Sequence, residues 1–252
     1  MGTERQSTTG EAAHRVDDEI LRLRAVVTEC EPGHMRRHQA LNRIYLLRRQ
    51  RGEDPPDAIY DCRRVVRRWR IRNELAVNAG LLDYLHSIGF VGDGKDSIRP
   101  DERMIINYGD LDHGAPAMVP LVTAIDAAVR AYRRTLDDSL ADQLGVSALD
   151  RFGLRSFAAA TRRAGFHYPH LHGGAILVVS YYVRVPQTAD GTAARLYFGF
   201  GENKLMDSRT WVVPEEGNIF VFPGHVMHQT SAPGTDEARI NVGFDVIARE
   251  PA

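Results

Sequence analysis

Five of the ten histidines fall into two tight groups, and their spacing is suited to chemistry. The first group lies in Gly165-Phe166-His167-Tyr168-Pro169-His170-Leu171-His172-Gly173-Gly174. In extended backbone, residues i and i+2 point to the same face. His170 and His172 can therefore aim at one point, whereas His167 need not. The two glycines that follow let the backbone approach that point closely. The second group ends Pro214-Glu215-Glu216-Gly217-Asn218-Ile219-Phe220-Val221-Phe222-Pro223-Gly224-His225-Val226-Met227-His228, a turn, a short apolar strand and a Pro-Gly stop with His228 just beyond. A lone histidine in a strand is usually a core or surface residue. An H-x-H pair joined about 55 residues later by His228 is a different case. Two strands meeting in a β-barrel would bring three neutral imidazoles together, a common metal-binding arrangement.

A cation belongs to the same half of the chain. In Ala238-Arg239-Ile240-Asn241-Val242-Gly243-Phe244-Asp245-Val246, the apolar Ile240, Val242 and Phe244 alternate with Arg239, Asn241 and Gly243. If the apolar set packs outward, Arg239 points into the barrel. A buried, unpaired guanidinium is costly and needs an anion. That anion is either a neighbouring Asp or Glu or the carboxylate of a ligand, which arginine holds through two parallel hydrogen bonds. The position of Arg239, eleven residues after His228, favours the ligand.

These side chains need strands to hold them, and the strand signals sit in the second half. Short β-branched and aromatic runs broken by Gly and Pro occupy 175–186, 194–200, 210–213, 218–222 and 238–248. Before them the pattern is helical. Residues 1–14 are polar and expected as a disordered tail. Helices are expected from residue 16 to Pro32-Gly33, over 35–51, over 58–85 and, as one long amphipathic element, over 118–144. A loop is expected over 89–114. The plan is α+β: a helical N-terminal region over 15–110 and a β core over 111–252. Arg63, Arg64, Arg67, Arg68, Arg70 and Arg72 lie on the third helix and are read as a solvated face, since the chain as a whole is close to neutral.

Bulk properties narrow the class. A net charge of -1 over 252 residues argues against general attraction to nucleic acid or membrane. Cys30 and Cys62 form neither a disulfide framework nor a zinc ribbon, so a reducing, cytoplasmic setting is expected. The polar start has no signal-peptide pattern, and the apolar run over 174–183 is too short to span a bilayer. The expected partner is a small-molecule substrate; a homodimer is compatible with these data.

The motifs resemble a known family. The string HLHGGAILVVSYYVRVP resembles the H-x-H…SGVYYV…P stretch of a 2OG-Fe(II) oxygenase branch within the 2-oxoglutarate-dependent iron dioxygenase superfamily. GNIFVFPGHVMH followed by ARINVGFDV resembles the same branch's G-x-L-x-x-F-P-x-x-x-x-H…R-I-S-I-S-F-N ending. The likeness covers roughly 111–252 and implies a double-stranded β-helix (jelly-roll) core with N-terminal and flanking helices. It implies Fe(II), 2-oxoglutarate and O2, with His170, His172 and His228 as metal ligands and no catalytic residue beyond them. It also implies that Arg239 and Tyr182 hold the distal 2-oxoglutarate carboxylate, with Tyr181 on the opposite face of its strand. The implied activity is a dioxygenase hydroxylating a small molecule, an amino acid or natural-product intermediate, with succinate and CO2 as coproducts.

The sequence departs from the pattern at several positions. His172 stands where most of the wider superfamily has aspartate, which leaves open a direct ligand or a residue beside an open metal position, as in halogenating relatives. His167 replaces a usual asparagine, and Asn241 a usual serine. Two other readings stay open. A cupin-type metal-dependent dioxygenase or isomerase shares the H-x-H pair, although no glutamate follows it in Gly173-Gly174-Ala175-Ile176-Leu177-Val178. A non-catalytic metal-binding fold is the other.

Overall fold

Ten consecutive residues in β9 (Arg239–Ala248) form the longest ladder among the described residues because β-branched and aromatic side chains alternate there with small and polar ones. The computed structural model describes residues 4–53, 57–90, 104–108, 111–187, 194–200 and 210–248. β9 pairs on one side with β3 (Phe152–Thr161), from Phe152 opposite Ala248 to Thr161 opposite Arg239. On its other side it pairs with β4 (Leu177–Arg184). With β1 (Arg67–Arg70), β2 (Met104–Tyr108) and β7 (Asn218–Pro223) they make a six-stranded antiparallel sheet in the order β1-β7-β4-β9-β3-β2.

A second sheet, β6 (Thr210–Val212), β5 (Leu196–Gly199) and β8 (Met227–Thr230), has the order β6-β5-β8. The two sheets meet through Phe198, whose ring lies 5.1 Å from that of Phe222 and 6.4 Å from that of Phe220. This is a double-stranded β-helix of jelly-roll type, two facing sheets rather than a closed barrel. Cross-strand register settles which side chains face inward. Arg155 and Phe157 on β3, Ser180 and Tyr182 on β4, and Arg239, Asn241, Gly243 and Asp245 on β9 share the inner face.

Helices cover the outer surfaces. α1 (Glu4–Glu29) and α2 (Met35–Gln50) form a hairpin, and the short α3 (Cys62–Val65) follows. α4 (Glu74–Ser87) lies against β4, where the outward Tyr181 hydroxyl donates to Asn78 Oδ1. α5 (Val119–Arg134) packs against β7, and its buried Tyr132 donates to the Val65 carbonyl at 2.8 Å. α6 (Asp138–Leu144) completes the set. Among the described residues no helix is long and apolar enough to cross a membrane.

The structure corrects several element expectations. α1 begins at Glu4, inside the stretch expected as a disordered tail over 1–14. Its Glu, Gln and Ala residues are helix formers. The expected helix over 58–85 is instead a 3-10 turn, α3, strand β1 and α4. Val66 and Trp69 favour extended backbone, and β7 offers an edge to pair with. Within that segment Arg70 sits between Glu215 at 2.8 Å and Glu74 at 3.0 Å. The expected single helix over 118–144 breaks because the Asp137 side chain accepts from Leu140 N and starts a new helix, α6. Two strands, β1 and β2, enter the large sheet from before residue 111, so that position does not separate helices from sheet.

Glycines offer a check on this packing. A Cβ on Gly224 would collide with the Ala175 carbonyl oxygen beside the His172 loop, whereas one on Gly80 in α4 meets only Ala117 Cβ at 3.9 Å. Gly224→Ala is expected to lower stability by about 1–3 kcal/mol, as overpacking does. Gly80→Ala is expected to raise it by about 0.5–1 kcal/mol through helix propensity. Denaturant titration of the two variants checks both signs.

Candidate metal centre

The first H-x-H histidine and the distant one are brought together by backbone pairing. His170 N donates to the His228 carbonyl at 3.0 Å, and His228 N donates to the His170 carbonyl at 2.9 Å. Residues opposite each other in such a pair project to the same side, so both rings enter the space between the sheets while Leu171 and Met227 point away. His172 N donates to the Gly224 carbonyl at 3.2 Å, which docks the second H-x-H histidine on the same turn. On its other side the Gly224 backbone packs so close to the Ala175 carbonyl and the His38 ring that no side chain fits there.

Helix α2 clamps the arrangement from outside. Asn42 Nδ2 donates to the His225 carbonyl at 2.8 Å, and the buried His38 ring lies 5.9 Å from that of His225. Gly174 N, just past the H-x-H pair, donates to the Gly33 carbonyl at 2.7 Å.

The three side chains converge as the spacing implied. The rings of His170 and His228 lie 4.2 Å apart, those of His172 and His228 5.1 Å, and those of His170 and His172 5.2 Å. One nitrogen from each lies within 4.8 Å of the others. The partners of the remaining nitrogens reveal the tautomers. His170 Nδ1 contacts the Tyr168 carbonyl at 2.7 Å, His228 Nδ1 the Val226 carbonyl at 3.2 Å, and His172 Nδ1 the Asp245 Oδ1 at 2.6 Å. Carbonyl and carboxylate oxygens only accept, so each Nδ1 carries the proton and each Nε2 keeps its lone pair. His172 Nε2 is buried with no hydrogen-bond partner. Three such nitrogens facing one point suit a divalent ion of the first transition row, for which imidazole is a favoured ligand.

Burial keeps His170, His228 and the neighbouring His167 neutral. Burial, followed by the neighbouring His172, pushes His170 down to about 4. Burial, then the adjacent imidazoles, holds His228 well below its ordinary value. Burial, then Arg239, takes His167 down to about 3. His167 lines the cavity beside His170 and His228, and its Nε2 also lacks a partner.

Arg239 lies on the same inner face, fully buried. Its Nη2 donates to Thr230 Oγ1 at 2.7 Å and its Nη1 to the Ser231 carbonyl at 3.2 Å, while Nε has no partner. Among the described residues no carboxylate pairs with it, and burial lowers its pKa. Tyr182 is buried beside it and projects inward, with Tyr181 outward. A cavity of about 30 Å³ lies between Tyr182, Thr230, His170 and His228. That is room for about one water, so a larger ligand must push the lining side chains aside.

Two residues of this site were not singled out by the motifs. Asp245 anchors His172, and strand parity carried two residues beyond Gly243 points to it. Thr230 supports both Arg239 and His167 N, and only its place two residues after His228 marks it.

Comparison with known proteins agrees with the fold. Residues 155–245 match the model of a family described as "Putative 2OG-Fe(II) oxygenase". A prolyl-4-hydroxylase from Pseudomonas putida has a similar structure, with TM-score 0.51 and 17% identity over 76% of this chain and 97% of that one. HygX from Streptomyces hygroscopicus, solved with nickel and 2-oxoglutarate, gives 0.48 and 12% over 75% and 85%. A prolyl hydroxylase from Trichoplax adhaerens, in complex with a hypoxia inducible factor peptide fragment, gives 0.48 and 13% over 85% and 92%. No curated protein sequence matches the chain.

The neutral histidines make acid stability predictable. In the unfolded chain they protonate near 6.5. In the native, metal-free protein His38 and His170 do so near 4, and His167 and His225 near 3. Below about 6.5 the unfolded state therefore binds more protons, and each such group removes up to about 1.4 kcal/mol per pH unit. The Tm of chelator-treated protein is expected to fall steadily from pH 7 to pH 5; a flat profile would contradict the neutral, buried assignment.

Proposed function

We propose that this chain, whose residues 155–245 match the model of a 2OG-Fe(II) oxygenase family, is an oxidoreductase of that kind, with Fe(II) held by His170, His172 and His228 and 2-oxoglutarate held by Arg239 and Tyr182. The observation that carries the reading is the buried guanidinium of Arg239. It shares an inner face with three lone-pair nitrogens and has no protein carboxylate beside it among the described residues. A cation in that state calls for an anion from outside the chain. When bound, iron with 2-oxoglutarate and O2 supplies oxidative decarboxylation to succinate and CO2, coupled to attack on a substrate C–H bond.

The chain's own residues do the positioning. Thr230 and the Ser231 carbonyl orient the Arg239 fork, so its remaining donors can take a carboxylate bidentately. Tyr182 keeps its phenolic proton, since burial raises its pKa, and can donate to the same anion. Phe157, Phe222 and Leu196 surround the histidines with apolar walls that exclude water.

Hydroxylation of a small molecule, an amino acid or natural-product intermediate, is the outcome we assign, since it is the simplest product of oxidising a C–H bond. A cupin-type reaction would leave the buried Arg239 without a role.

Anaerobic titration of the Fe(II) protein with 2-oxoglutarate tests this reading through the visible metal-to-ligand charge-transfer band. The band is expected in the native protein, with succinate released on admitting air. Arg239→Ala is expected to weaken 2-oxoglutarate binding by about 30-fold or more, as loss of a buried charge partner does. No band, or an unchanged affinity in the variant, would overturn the assignment.

A further inference from the structure

His172 has a feature that sets it apart from the other two histidines. His170 and His228 give their Nδ1 protons to backbone carbonyls, whereas His172 gives its proton to the carboxylate of Asp245 at 2.6 Å. The other oxygen of Asp245 accepts from Arg155 Nη2 at 3.0 Å, so the carboxylate is braced from both sides. Both braces depend on the fold. Arg155 and Asp245 are direct partners across β3 and β9, and Gly174 at φ +91 leaves the Arg155 guanidinium room beside the loop. Phe157 packs its ring 5.7 Å from that of His172, lying across Gly243 where any side chain would collide with it.

We propose that Asp245 is a positioning residue that makes His172 a metal ligand and places a carboxylate charge one imidazole away from the metal. The inference rests on reading the three histidines as a metal centre. A ligand imidazole whose second nitrogen donates to a carboxylate is fixed in tautomer and orientation and becomes more basic. Three neutral imidazoles bring no charge of their own, so the Asp245–His172 pair supplies through a hydrogen bond part of what a directly bound carboxylate would supply. The partly exposed Arg155 balances that charge only weakly, because solvent screens it.

Co(II) alone is the probe, titrated into chelator-treated protein against a competing indicator. Asp245→Ala is expected to weaken Co(II) binding by about 10–100-fold. Asp245→Asn keeps an acceptor oxygen for Nδ1 without the charge, and is expected to fall between wild type and Asp245→Ala. In the metal-free protein, ¹⁵N shifts of the His172 ring are expected to report the Nδ1–H tautomer in wild type and a mixture of tautomers in Asp245→Ala. Co(II) affinity in Asp245→Ala within about twofold of wild type, or an Nε2–H tautomer in wild type, would overturn the inference. Should Asp245→Ala fail to fold, Asp245→Asn decides: wild-type affinity there would overturn the charge contribution, and weakened affinity supports it. If wild-type protein binds no Co(II) at all, the metal centre itself falls, which is a separate outcome.

Discussion

The site depends on which nitrogen of three imidazoles carries the lone pair. A neutral imidazole can coordinate only through its unprotonated nitrogen, and the partner of the other nitrogen decides which one that is. Here three acceptors in three local contexts, two backbone carbonyls and one carboxylate, each claim an Nδ1 proton. Burial enforces the neutral state, since an imidazolium among the rings would be both desolvated and repelled. The reciprocal backbone pairing of His170 and His228 then aims the free nitrogens at a common point.

That convergence is supported from outside the β-sandwich. Helix α2 reaches the turn before His228 through Asn42 and His38, and the turn at Gly33 bonds to Gly174 just after the H-x-H pair. The N-terminal helices thus act as a brace on the back of the site. Strand β1 has a related role, since it covers the edge of β7 that leads into the His228 turn.

What could be read from the chain followed from periodicity. Alternation in β9 placed Arg239 inside and Ile240, Val242 and Phe244 outside, as the ladder with β3 has them. The same parity put Tyr182 inward and Tyr181 outward. The i, i+2 relation joined His170 to His172, and the apolar strand before Pro223 placed His228. Long-range pairing was less legible. Residues 67–70 read as helix because the apolar spacing of Val65, Val66 and Trp69 fits that period, and only the edge of β7 makes residues 67–70 a strand. β8 is four residues long and polar in its second half, so it gave no pattern of its own. Parity along β9 places Asp245 on the inner face, but its pairing with His172 joins residues far apart in the chain and leaves no local signal.

On the proposed reading His170, His172 and His228 hold one metal ion through their Nε2 atoms. Anomalous diffraction from crystals grown with Co(II) or, anaerobically, with Fe(II) tests it most directly. The account predicts a single strong peak at bonding distance from all three Nε2 atoms, with His172 Nδ1 still on Asp245. A peak bound by only two of these histidines, or one at another site, would contradict it.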